Sequence, residues 1–198
     1  DRILADSGDS ELWRQSRLRW LNSQLAVNDE VVKPYTPLEV KGRTIKCLGR
    51  ALTLGENGLP ARIESFFTPE LTAISSISTD LLSRPFEFLI KNSVEPAPSW
   101  KNESFAFTKI TQGKVAWQAV NRIPALDLTV KINGAMEFDG YVEFKVKLEA
   151  GSDTTVEDIS LLIPLRLEAS TYMMGLGFKG GQRPSSFSWS WDRSKNQD

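Results

Sequence analysis

Between residues 31 and 168, hydrophobic and polar positions alternate mostly with period two, the spacing of a strand with one buried and one wet face. Leu126, Leu128, Val130 and Ile132 form one face, opposed by Asp127, Thr129, Lys131 and Asn133. Met136 and Phe138 continue it, and Val142, Phe144, Val146 and Leu148 resume it beyond Asp139-Gly140. Asp-Gly between alternating runs is a strong hairpin signal, because both turn positions favour positive φ. Upstream, Phe105 and Phe107 alternate with Ala106 and Thr108, Gln112-Gly113 makes a turn, and Val115, Trp117 and Ala119 share a face. Earlier still, alternation from Thr44 to Leu54 ends at Gly55-Glu56-Asn57-Gly58, and Arg62 to Phe67 returns as the next strand. The Ser/Thr-rich stretch from Thr72 to Thr79 reads as a connection to a strand at Pro85 to Ile90. Glu95-Pro96-Ala97-Pro98-Ser99 reads as a stiff surface loop. Ile159 to Leu165 is more continuously apolar and predicts a strand buried on both faces.

Residues 9 to 25 follow a helical period instead. Leu18, Leu21 and Leu25 recur on one side, Trp13 and Trp20 lie on a neighbouring stripe, and Asp9 or Ser10 suits the N-cap. Arg14, Arg17 and Arg19 flank the stripe and belong in solvent. Turn signals about every 8–12 residues indicate an antiparallel sandwich rather than a βαβ fold. The expected fold is mainly all-β: an antiparallel two-sheet β-sandwich of about nine or ten strands, with one N-terminal amphipathic helix. Residues 1–30 form the helical segment packed on the sandwich, 31–168 the sandwich, and 169–198 a Gly/Trp-rich tail leading into a further domain.

Composition narrows the chemistry. Twenty-four basic and 25 acidic residues give a net charge of −1 over 198 residues, so no basic field points to a nucleic-acid partner. There is no His, which removes Ser-His-Asp, Cys-His and His-ligated zinc chemistry. Cys47 is the single cysteine, so neither an internal disulfide nor a cysteine-rich metal site can form. No phosphate loop or dinucleotide fingerprint is present, and no cofactor is expected. No apolar run approaches the roughly 20 residues of a membrane-spanning helix. The start, Asp1-Arg2-Ile3-Leu4, reads as a processed terminus.

Acid-base work would fall to carboxylates such as Asp127, Glu137, Asp139, Glu143, Asp153 and Asp158. Asp127, Glu137 and Glu143 oppose the apolar set, where solvated carboxylates belong. Glu149, Asp153, Glu157 and Asp158 bracket a loop that could offer oxygen ligands to calcium, without EF-hand spacing to support it. No residue is assigned to catalysis or to a metal. Six Trp and ten Phe supply planes on which sugar rings can stack. Trp117 belongs to the core, Trp13 and Trp20 to a helix-sheet seam, and Trp100 could be exposed. Trp189 and Trp191 alternate with Ser188 and Ser190, which puts them on one strand face beside Arg193 and Lys195, and they read either as a ligand platform or as packing.

The tail also carries a resemblance. Tyr172 to Pro184, YMMGLGFKGGQRP, and Trp189 to Asp198, WSWDRSKNQD, follow the apolar run Leu161-Leu162-Ile163-Pro164-Leu165. Together they resemble a segment of large bacterial glycoside hydrolase-like proteins, common in Bacteroidetes and similar to glycoside hydrolase family 123. The resemblance implies a multidomain parent in which β-sandwich modules precede a (β/α)₈ barrel holding the catalytic Asp/Glu pair. No such barrel pattern occurs here, and no catalytic residue is carried over. It implies a noncatalytic sandwich module of an exported protein, periplasmic or on the surface of a Gram-negative cell, with the remaining domains of the parent as partners and a glycan as possible ligand. Candidate carbohydrate contacts are Trp189, Trp191, Tyr172, Lys179 and Arg183. An autonomous carbohydrate-binding module and a structural or adhesion-like interaction domain are the alternatives.

Overall fold

The period-two segments pair into antiparallel ladders in a computed structural model that describes residues 29–92, 99–192 and 194. One sheet runs β1 (Glu39–Lys41), β2 (Thr44–Cys47), β3 (Arg50–Leu54), β4 (Pro60–Phe67), β5 (Ile74–Asp80), in that spatial order. After β6 (Glu87–Lys91), the chain builds a second sheet from β7 (Lys101–Ile110), β8 (Lys114–Ile123), β9 (Leu128–Glu137) and β10 (Val142–Ala150), ordered β10-β9-β8-β7. β11 (Asp158–Leu162) pairs with β6, and β12 (Tyr172–Gly175) with β13 (Phe178–Gln182). The result is a β-sandwich, as the alternation implies. The N-terminal helix expected over residues 9 to 25 lies outside the described residues, as do residues 93–98 of the Pro-rich loop.

Thirteen strands among the described residues exceed the expected nine or ten, for three local reasons. The run from Thr44 to Leu54 is two strands, folded back between Cys47 and Arg50, which pair across the turn. The Ser/Thr-rich stretch is strand β5 rather than a connection. It lies at a sheet edge with mostly exposed or half-buried residues, so it has no apolar face to betray it. The glycine-rich tail supplies the third surplus, the β12–β13 hairpin. Asp127 also differs from expectation. A 3-10 turn, Pro124–Leu126, interrupts the alternation, and Asp127 closes it in the left-handed region, φ 48°, its N–H donating to the Pro124 carbonyl.

The inner faces meet in three contiguous clusters. Ile45, Leu52 and Leu54 of the first sheet pack with Val115, Trp117 and Met136 of the second. Farther along, Leu59 meets Val130 and Ile132, and Ile90 meets Ile123 and Leu128. Asn57-Gly58 makes the turn between β3 and β4. Asn57 Oδ1 accepts from Leu59 N at 3.0 Å, and Gly58 takes φ +83°. A Cβ at Gly58 would stand 2.7 Å from that of Ala119, so this turn needs glycine twice over. Trp117, only 1% exposed, donates from Nε1 to the Gly58 carbonyl at 2.9 Å, tying the turn to β8. Buried Asn121 is also paired: its Nδ2 donates to the Asn57 carbonyl and its Oδ1 accepts from Asn102.

The outer face of the second sheet is charged and largely self-paired. Lys131 Nζ stands 2.7 Å from Glu149 Oε2, and Lys147 Nζ 2.8 Å from Oε1. The Lys131 hydrogen bond, then that of Lys147, lowers the Glu149 carboxyl from 4.5 to about 2. A depressed carboxyl stabilises the fold fully above its unfolded value and loses that contribution as pH falls through the folded one. The Glu149→Gln variant should therefore show a flatter loss of stability between pH 4.5 and 2 than the parent, in urea melts at stepped pH. Because solvent reaches these groups, added salt should shrink the difference.

Candidate functional site

Beyond Leu165 the chain leaves the sandwich core and builds a small aromatic surface. β12 and β13 pair with Tyr172 opposite Gln182 and Met173 opposite Gly181, with an irregularity before Gly175 meets Phe178. Gly175, Gly177, Gly180 and Gly181 all take positive φ, and a Cβ at Gly175, Gly177 or Gly181 would meet nothing within 4 Å. These three therefore serve the turn conformation rather than close packing. Phe178 meets Phe187 edge to face, centroids 5.9 Å apart, which joins the hairpin to the segment carrying the tryptophans.

Trp189 and Trp191 contact each other at 6.2 Å and 62°, an edge-to-face pair. They lie in irregular chain rather than in a strand, and Trp191 is 65% exposed against 39% for Trp189. One indole thus props the other, leaving a ring available for stacking. Tyr172 is 73% exposed at the end of β12, and Lys179 is exposed on β13. Arg183 is committed to local structure: its Nε donates to the Ser170 carbonyl at 3.0 Å and Nη1 to the Pro184 carbonyl at 3.1 Å. The structure brings the two tryptophans together, and places Tyr172, Lys179 and Arg183 on or beside the hairpin. Arg193 and Lys195 lie outside the described residues.

The candidate carboxylates are spread over the surface. Glu137 pairs with Lys114 at 3.0 Å, Glu143 with Lys145 at 3.4 Å and Glu157 with Lys91 at 3.5 Å. Asp139 Oδ1 accepts from Tyr141 N in the β9–β10 turn, and Asp158 accepts from the Ser160 hydroxyl. Among the described residues, no group of three or more His, Cys, Asp or Glu is placed to hold a metal ion. An open concavity of about 270 Å³ lies on the outer face of the second sheet, over Ala116 and Ala135, rimmed by Thr108, Asn133, Glu143 and Lys145. It offers polar groups without an exposed ring. Trp100, which could have been exposed, is half-buried: its Nε1 donates to the Phe88 carbonyl at 2.7 Å.

Ile159 to Leu165 is not buried on both faces: Ile159, Leu161, Ile163 and Leu165 are each about half exposed. Continuous apolarity suggested a central strand, but β11 pairs only with β6 and forms a sheet edge. The available signal was its position, since no apolar alternating run follows it to pair on its open side.

The described chain is a β-sandwich that ends in an exposed aromatic hairpin and a tryptophan pair. Residues 38–198 match the family described as glycoside hydrolase 123, third domain. The chain belongs to that family. Searches of curated proteins and of solved structures found no match.

Proposed function

We propose that this chain is a noncatalytic β-sandwich module of an exported glycoside hydrolase-like protein, supporting carbohydrate processing by the domains joined to it. The observation that carries the reading is the aromatic tail, within a chain whose family is a glycoside hydrolase third domain. Tyr172, Met174, Leu176, Trp189 and Trp191 are all exposed beyond the sandwich, more apolar surface than a hairpin of this size keeps without a neighbour or ligand. Trp191 offers a stacking plane, Lys179 a free-standing donor, and Arg183 holds the hairpin base to Ser170. In this reading an adjoining domain covers part of the tail and completes the cleft.

The propped Trp189–Trp191 pair also supports a second reading, an autonomous carbohydrate-binding module. Titration of the isolated chain with a glycan panel, followed by tryptophan fluorescence, separates the two. The supporting-module reading expects no saturable change with any glycan. Saturable binding that Trp191→Ala weakens at least tenfold, and Lys131→Ala on the far face leaves intact, would establish the second reading instead.

A further inference from the structure

The apex of the β12–β13 hairpin breaks a local rule. Gly175 pairs with Phe178, which leaves Leu176 and Gly177 as the two central turn residues. Both take positive φ, 52° and 79°, the pattern of a type I′ turn. Asn, Asp or Gly ordinarily fills the first of these places, because a Cβ is strained in the left-handed region. Leucine stands there instead, 55% exposed, close to Met174 at 82%. The turn therefore accepts backbone strain to hold an apolar side chain in the open at the end of a protrusion, the mark of a site that meets something. β12 and β13 form a two-stranded sheet of their own, made mostly of exposed residues. Charge adds a second observation. From Ala169 to Trp191 the chain has no acidic residue, while Lys179 and Arg183 both fall there.

We infer that this apex inserts into the interface of an anionic lipid surface, with Leu176 and Met174 among the acyl chains. A projecting apex needs a matching pocket on a protein partner, whereas a fluid interface closes around it. The dimensions agree. Tyr172 is four residues from Leu176, about 13 Å along the strand, and interfacial segments enter a bilayer by about 5–10 Å. That depth covers Leu176 and Met174 and leaves the exposed Tyr172 ring at headgroup level, where amphipathic rings are favoured. Lys179 is exposed near the apex, and its long stem lets the ammonium reach up to the phosphates. Arg183, at the hairpin base, keeps its charge while bonding the Ser170 and Pro184 carbonyls, and adds to the attraction. Phe187 against Phe178 braces the ribbon behind the apex. Insertion stops at the interface, because the outer edges of a two-stranded ribbon carry N–H and C=O groups that hydrocarbon cannot satisfy. Only the apex is engaged, and the supporting role proposed above does not depend on it.

The test is flotation of the full chain with vesicles of phosphatidylcholine containing about one third phosphatidylglycerol. The expected result is co-flotation that weakens with added salt and falls about tenfold or more in Met174→Gln/Leu176→Asn. Asparagine suits the first turn position better than leucine, so that variant keeps its fold, which an unchanged urea midpoint checks. Lys179→Gln, which leaves the turn alone, should lose about fivefold. Failure of the parent chain to float, or flotation that the double variant retains, overturns the inference. Self-association in vesicle-free solution that the same variant abolishes overturns it too, because it gives the apex to a second copy of the chain.

Discussion

Trp117→Ala is expected to lower the unfolding free energy by about 3–5 kcal/mol, near the top of the range for a single substitution. The side chain is 1% exposed and sits in the cluster that joins the two sheets. Its loss leaves a cavity between the layers, strips Phe144 of an edge-to-face partner at 5.7 Å and leaves the Gly58 carbonyl without its donor. Trp117→Phe keeps much of the volume and removes the Nε1 donor, and should cost less, about 1–3 kcal/mol. Urea midpoints at constant slope, read by circular dichroism, check both values. A loss under about 1 kcal/mol for the alanine variant would mean that the sheets do not pack around this ring.

The second large effect comes from adding atoms. Gly134 is the cross-strand partner of both Trp117 on β8 and Phe144 on β10. Because it has no side chain, rings from two non-adjacent strands meet above it at 72°. A Cβ at this position would lie 2.6 Å from Nε1 of Trp117 and closer still to its six-membered ring. Gly134→Val should therefore cost about 1–3 kcal/mol or more by forcing the rings apart. The same change in the Trp117→Ala background enters vacated space, so its penalty should shrink by about 1 kcal/mol or reverse. Additive losses in that double-mutant cycle would contradict the packing described.

Much of the sandwich was legible in the sequence because its central strands bury one face only. The alternation of Leu128, Val130 and Ile132 and the Asn57-Gly58 and Asp139-Gly140 turns each correspond to an observed ladder or hairpin. Edges were harder to read, since an edge strand has fewer neighbours to impose a pattern. β5 is too polar to declare itself, and β11 is so apolar that it resembles a central strand. At the tail, composition singled out Trp189 and Trp191, and the structure shows them in contact. Their geometry was not legible: they are an edge-to-face pair in irregular chain, not two rings side by side on a strand. By its charge Arg183 reads as a donor to a ligand, whereas its guanidinium is spent on the Ser170 and Pro184 carbonyls. A basic residue beside glycines cannot be told, from sequence, apart from one that braces their backbone.

In the proposed function this domain supports glycoside hydrolysis by the domains joined to it without performing it. The most direct measurement is turnover by the purified chain on a panel of aryl glycosides, N-acetylhexosaminides included, over pH 4 to 8. The account predicts no release above buffer. Turnover that survives repurification and is abolished by substituting a single surface carboxylate, such as Glu143→Gln or Asp158→Asn, would contradict it.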